Sequence, residues 1–125
     1  CNMLNRLQMN LKILKNTLVV DDMEIKEFPY PIRIAKEIQG TVIVVLDIPK
    51  DVIFSDNAYG YVLREQYLWQ IEPHGYYPQV PASDICIIGI SPMVVLGQVV
   101  FFTWLGVVVY VNLLTGKVIK TEISK

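Results

Sequence analysis

The chain has a single histidine, the side chain most often used to move protons near neutral pH. His74 stands in PHGYYPQVPASD (residues 73–84), next to Gly75, Tyr76 and Tyr77. One imidazole cannot furnish a histidine-based metal cluster, and no second group lies at a spacing that would make it a catalytic base. Its functional reading is a pH-sensitive contact or a base in a loop cleft; a surface histidine is the preferred one. Cys86 could be offered as a nucleophile for His74. It is flanked by Ile85 and Ile87, and a thiol among apolar neighbours is kept protonated rather than activated. Cys86 therefore reads as a core residue. Asp51 and Asp56 share a loop with Ser55 and Asn57 and could gather oxygens for calcium, but the spacing of a calcium-binding loop is absent. Solvated loop charge is the better account. No glycine-rich loop is present to cradle a phosphate.

Aromatic residues are the other candidates. Tyr61, Tyr67, Trp69, Tyr76, Tyr77, Phe101, Phe102, Trp104 and Tyr110 combine apolar area with, in most cases, a polar handle. Tyr76 and Tyr77 lie in a loop and, with His74, form the candidate binding set. Trp69 and Trp104 look equivalent in two halves of the chain and are assigned to the core, where strand aromatics usually go. No catalytic residue, metal or cofactor is expected.

The elements that must hold these residues are read from hydrophobic texture. Residues 1–10 are an arm too short to be a stable helix. LKIL, TLVV and MEIKEF, separated by Lys15-Asn16 and Asp21-Asp22, predict a three-stranded meander over 11–28. Pro29 and Pro31 turn the chain. Strands at 32–38, 41–48, 58–64 and 67–72 then form one four-stranded unit over 32–72. The loop 73–84, with Pro at 73, 78 and 81, divides the chain, and a second four-stranded unit follows over 85–123, with strands 85–91, 94–104, 107–112 and 117–123. Gly116 takes the turn position that needs positive φ.

The second unit contains Ile85–Thr115, a run without Asp, Glu, Lys or Arg. A run this apolar is either a membrane span or the interior of a β domain. Its Val and aromatic content favours strands. Gly89, Gly97, Gly106 and Gly116 read as hairpin punctuation, and no Lys/Arg cluster flanks the run to orient a span. The β reading is preferred. The 125 residues make one domain, and 53% hydrophobic content requires that both faces of some sheet be covered. A net charge of −1 gives no electrostatic case for nucleic acid or an anionic membrane. The two cysteines, Cys1 and Cys86, fit reduced thiols in the cytoplasm. The alternative is a lipid anchor on Cys1; extra residues ahead of a start at Met3 or Met9 are preferred.

The two units resemble each other. GTVIVVLDI…AYGYVLREQYLWQIE lies beside GQVVFFTWLGVVVYVNLLTGKVIKTEI, each starting Gly-polar-Val and reaching a Tyr-containing strand at Tyr61 or Tyr110. On these motifs, and on the Thr-Gly-Lys turn, the chain resembles small uncharacterised bacterial all-β proteins built of propeller-blade-like repeats of the quinoprotein or WD type. The turn at Asn112-Leu113-Leu114 is more apolar than the acidic one usual in such proteins. The resemblance implies two blade-like four-stranded sheets packed face to face, since two blades cannot close a ring; it implies no activity. The expected fold is all-β, antiparallel meanders forming those two sheets plus the N-terminal meander. The expected function is a non-catalytic protein-interaction module, inhibitor-like, immunity-like or self-associating, because so apolar a chain leaves a patch for a partner. The alternative is a small-molecule binder or enzyme with a cleft between the two sheets near loops 49–57 and 73–84.

Overall fold

A computed structural model describes residues 10–52, 54, 56–72, 86–104 and 106–123. All regular structure among them is strand. The N-terminal meander comprises β1 (Leu11–Leu14), β2 (Thr17–Val20) and β3 (Met23–Glu27). The first four-stranded sheet comprises β4 (Ile32–Ile38), β5 (Thr41–Leu46), β6 (Ala58–Val62) and β7 (Tyr67–Gln70). The second comprises β8 (Ile87–Ile90), β9 (Gln98–Thr103), β10 (Val107–Asn112) and β11 (Val118–Ile123). Every pairing is antiparallel between sequence neighbours, so each sheet is an open meander. The expected fold class, two packed four-stranded sheets and a three-stranded meander, is the one observed.

Turn chemistry sets the hairpins. Asp21 and Asp22 both adopt left-handed backbone angles, the requirement of the tight turn whose twist matches its strands. At the preceding turn the left-handed residue is Lys15, and Asn16 does something else: its amide nitrogen donates to the Phe28 carbonyl at 2.7 Å, tying the turn to the end of the sheet. Gly40, Gly97, Gly106 and Gly116 all have positive φ. Gly89 does not belong with them. It sits inside β8 opposite Phe102, whose ring covers the place a Cβ would occupy. Gly60 in β6 is paired with Trp69 in the same way. Both glycines are cross-strand seats for an aromatic ring rather than hairpin punctuation.

The three sheets stack, with β4–β7 in the middle. β5 alternates strictly: Val42, Val44 and Leu46 pack with Leu18, Val20 and Phe28 of the N-terminal meander, while Ile43 and Val45 pack with Val99, Phe101 and Val109 of the second sheet. All six residues of β5 are buried, the pattern of a strand covered on both faces.

Polar groups bolt the second sheet to the middle one. The Asn57 amide nitrogen donates to the Leu46 and Ile87 carbonyls at 2.9 and 2.8 Å, and its carbonyl accepts from the Ile87 N–H at 2.9 Å. The Trp69 indole N–H donates to the Leu113 carbonyl at 2.8 Å. Glu72 accepts from the Val118 N–H at 2.7 Å. At the Gly40 end, Gln39 accepts from the Gly97 N–H at 2.9 Å and donates to the Val95 carbonyl at 3.2 Å.

Three expectations are corrected here. The strand expected over 94–104 begins only at Gln98, because Gly97 turns the chain and the residues before it form the β8–β9 connection, closed by a Val95–Gln98 bridge. Tyr61 and Tyr110 are not equivalents: Val42 pairs with Tyr61, but Val99 pairs with Val111, so the two tyrosines lie on opposite faces of their sheets. Tyr61 points into the interface with the N-terminal meander, whereas Tyr110 lies beneath the Lys120 ammonium, 4.5 Å from its ring centre. Finally, Trp69 is in the core as expected, but Trp104 is 73% exposed. Trp104 follows the last residue of β9, where the sheet ends. Leu105, of the expected Leu105-Gly106 hairpin, lies outside the described residues.

Candidate functional site

A cleft of about 480 Å³ opens between the middle and second sheets at the Leu46 end of β5. β4 contributes Arg33, the segment after β5 contributes Asp47, Ile48, Pro49 and Lys50, and the start of β8 contributes Ile87 and Ile88. Pro49 lacks an N–H, so β5 cannot continue its ladder there and the chain swings out to form one wall. Asp47 is fixed at its backbone by donation to the Pro31 carbonyl at 2.8 Å, and its carboxylate faces the Arg33 guanidinium at 3.4 Å. Asn57 holds the floor by spanning Leu46 and Ile87. Trp104 stands at the mouth. Cys86 also lines the cleft, and its thiol donates to the Phe54 carbonyl at 3.2 Å.

The opposite end of the sheets carries a different surface. Met93, Val94 and Leu96 project from the β8–β9 connection, with Val94 86% and Leu96 91% exposed. Beside them a groove of about 260 Å³ is lined by Lys36, Glu37, Ile38, Ile90, Met93 and others. Gln39 clamps this connection to the middle sheet at both Val95 and Gly97, so the apolar side chains are displayed on a supported turn.

Two titratable clusters have identifiable causes. On the outer face of the second sheet, Tyr110 donates to Glu122 at 3.0 Å and Lys120 lies 3.2 Å from the same carboxylate. Hydrogen bonding from Lys120, then from Tyr110, lowers the Glu122 pKa, and the bond to Glu122 raises that of Tyr110. Burial, followed by the charge of Asp56, raises the Tyr59 pKa.

His74, Tyr76 and Tyr77, the candidate binding set, lie outside the described residues, as does the arm over 1–9. Among the described residues no three His, Cys, Asp or Glu side chains gather to hold a metal ion. Glu72 is taken up in structure by its bond to Val118. Trp104 and Arg33 are the residues sequence reasoning missed. The signal available for Trp104 was its place after β9, immediately before Leu105-Gly106; Arg33 had none, since it reads as one polar position of an alternating strand.

The arrangement offers donors, a flat aromatic face and apolar walls, which is the chemistry of binding. Fold and surfaces together define a small all-β protein of three stacked antiparallel meanders, with a cleft at one end and an apolar turn at the other. The chain belongs to the family described as Domain of unknown function (DUF7957), which matches residues 8–123. No curated protein and no solved structure matches it. Among the described residues no helix is long and apolar enough to cross a membrane.

Proposed function

We propose that this protein is a non-catalytic interaction module that binds protein through the turn at Met93–Leu96, and that its first partner is a second copy of itself. The observation that carries this is the near-complete exposure of Val94 and Leu96, consecutive in the turn but for Val95, on a chain whose other large apolar side chains mostly fill two cores. Self-association is supported by what lies beside the turn. The protruding side chains and the groove of about 260 Å³ share one end of the molecule, and Lys36 and Glu37 present both charge signs there. A two-fold interface needs such a self-complementary patch, each copy offering knob and hole. The likeness between 32–72 and 85–123 is read as two copies of a blade-like unit; Gly40 and Gly97, both at positive φ before a largely buried strand, support it. The cytoplasm is the compartment we assign, in keeping with a chain that has only two cysteines.

Light scattering across a concentration series tests the reading. The protein is expected to dimerise, and Leu96→Asp, at an exposed position, to return it to monomer with the melting temperature of the parent diluted to monomer. A protein that stays monomeric at millimolar concentration overturns self-association. If it also fails to engage any protein through this turn in crosslinking, the module reading goes with it.

A further inference from the structure

We propose that the cleft between Arg33 and Trp104 is a binding site for a small aromatic carboxylate, its ring on the Trp104 indole and its carboxylate on the Arg33 guanidinium. The site is independent of the interaction surface, which occupies the other end of the sheets. A volume of about 480 Å³ suits a small organic molecule. Leu46, Ile48, Ile87 and Ile88 make most of the lining apolar, which calls for an apolar body in the ligand. The Trp104 indole, 73% exposed at the mouth, has given up the burial a tryptophan ordinarily gains on folding and leaves an aromatic face open for stacking.

The charges select the sign. A guanidinium carries five N–H donors in a planar fork that matches a carboxylate, and the contact Arg33 makes with Asp47 is a single long one at 3.4 Å on half-exposed side chains. Donors therefore remain for an incoming anion. Lys50 lines the same cleft, so that among the described residues it carries two positive charges against one negative. Asn57 takes no part in reading the ligand, because its amide is spent on Leu46 and Ile87; it fixes the floor.

The two tryptophans provide the test. Their indole N–H signals in a ¹⁵N-labelled sample report separately on the cleft and on the core, where the Trp69 N–H is held by Leu113. Titration with 3-phenylpropionate is expected to move the Trp104 signal saturably and to leave the Trp69 signal in place. The neutral 3-phenylpropionamide, and the carboxylate added to Arg33→Gln protein, are each expected to bind at least about tenfold more weakly, the size of one lost charge-assisted hydrogen bond. Asp47→Asn removes the competing carboxylate and is expected to tighten binding. The proposal is overturned by no saturable change at millimolar ligand, by equal affinity for acid and amide, or by weaker binding to Asp47→Asn.

Discussion

Asn57 and Glu122 show how differently one polar residue acts when it is buried and when it is on a surface. Asn57 is fully buried and makes three bonds to main-chain atoms of two sheets. Asn57→Asp keeps the side chain's size but cannot donate to the Leu46 and Ile87 carbonyls, and leaving buried acceptors unmet costs about 1–3 kcal/mol each. A drop of about 2–4 kcal/mol in urea unfolding is the expected outcome, with Asn57→Ala no better. A loss under about 0.5 kcal/mol, the range of neutral surface changes, shows that the sheets are not held together here. Glu122 acts in the open, where Lys120 and Tyr110 lower its pKa below the usual 4.5. A carboxylate depressed in the folded state stabilises it above the unfolded value and loses that contribution as pH falls through the folded one. Glu122→Gln should therefore melt below the parent at pH 7, and the gap should close on acidification past the ordinary carboxylate range. A gap that persists at pH 2 would show that the side chain acts by packing.

At the scale of the element, the cross-strand seats decide which strands can pair. Gly60 lies under the Trp69 ring, and a Cβ there would overlap it. Gly60→Ala must push the ring off its bond to Leu113, and overpacking of this kind costs about 1–3 kcal/mol. Gly40 has open space around it and only its positive φ to defend, so Gly40→Ala is expected to cost about 1 kcal/mol, from backbone strain alone. The two variants separate in fluorescence: only Gly60→Ala should move the emission of the buried Trp69 toward that of a solvated indole. Equal effects on stability and emission would remove the special role of the Gly60–Trp69 pair. β9 shows the same logic in reverse. Its apolar run extends back through Val94, but Gly97 turns the chain, and the residues before it become a displayed connection instead of a strand.

For the molecule as a whole, the arrangement of layers matters most. The middle sheet is covered on both faces, so β5 should be the last strand to exchange its amide hydrogens, well after β3 and β11, which lie at sheet edges. Removing residues 11–28 would bare Val42, Val44, Leu46, Tyr59 and Tyr61, and the shortened chain is expected to bind a hydrophobic dye or aggregate. A soluble, dye-negative fragment would mean that the N-terminal meander is dispensable. Much of this fold was legible in the residues. Strand after strand follows its run of β-branched side chains, and Asp21-Asp22, Gly40 and Gly116 mark turns through backbone angles that few other residues adopt, because strand and turn preferences are local. The surfaces were not legible. Trp104 and Trp69 are chemically alike, yet one ends in solvent and the other in the core, and Tyr61 and Tyr110 were separated by a one-residue register difference that reverses the face. Arg33 meets Asp47 because β4 and β5 pair in one hairpin, whereas Asn57 meets Ile87 only because sheets distant in sequence stack. The sequence by itself determined most of the strands and turns, since these depend on near neighbours. The tertiary structure alone decided which sheet lies in the middle and which aromatic stays outside. Those choices turn on register and layer packing, which no stretch of residues encodes by itself.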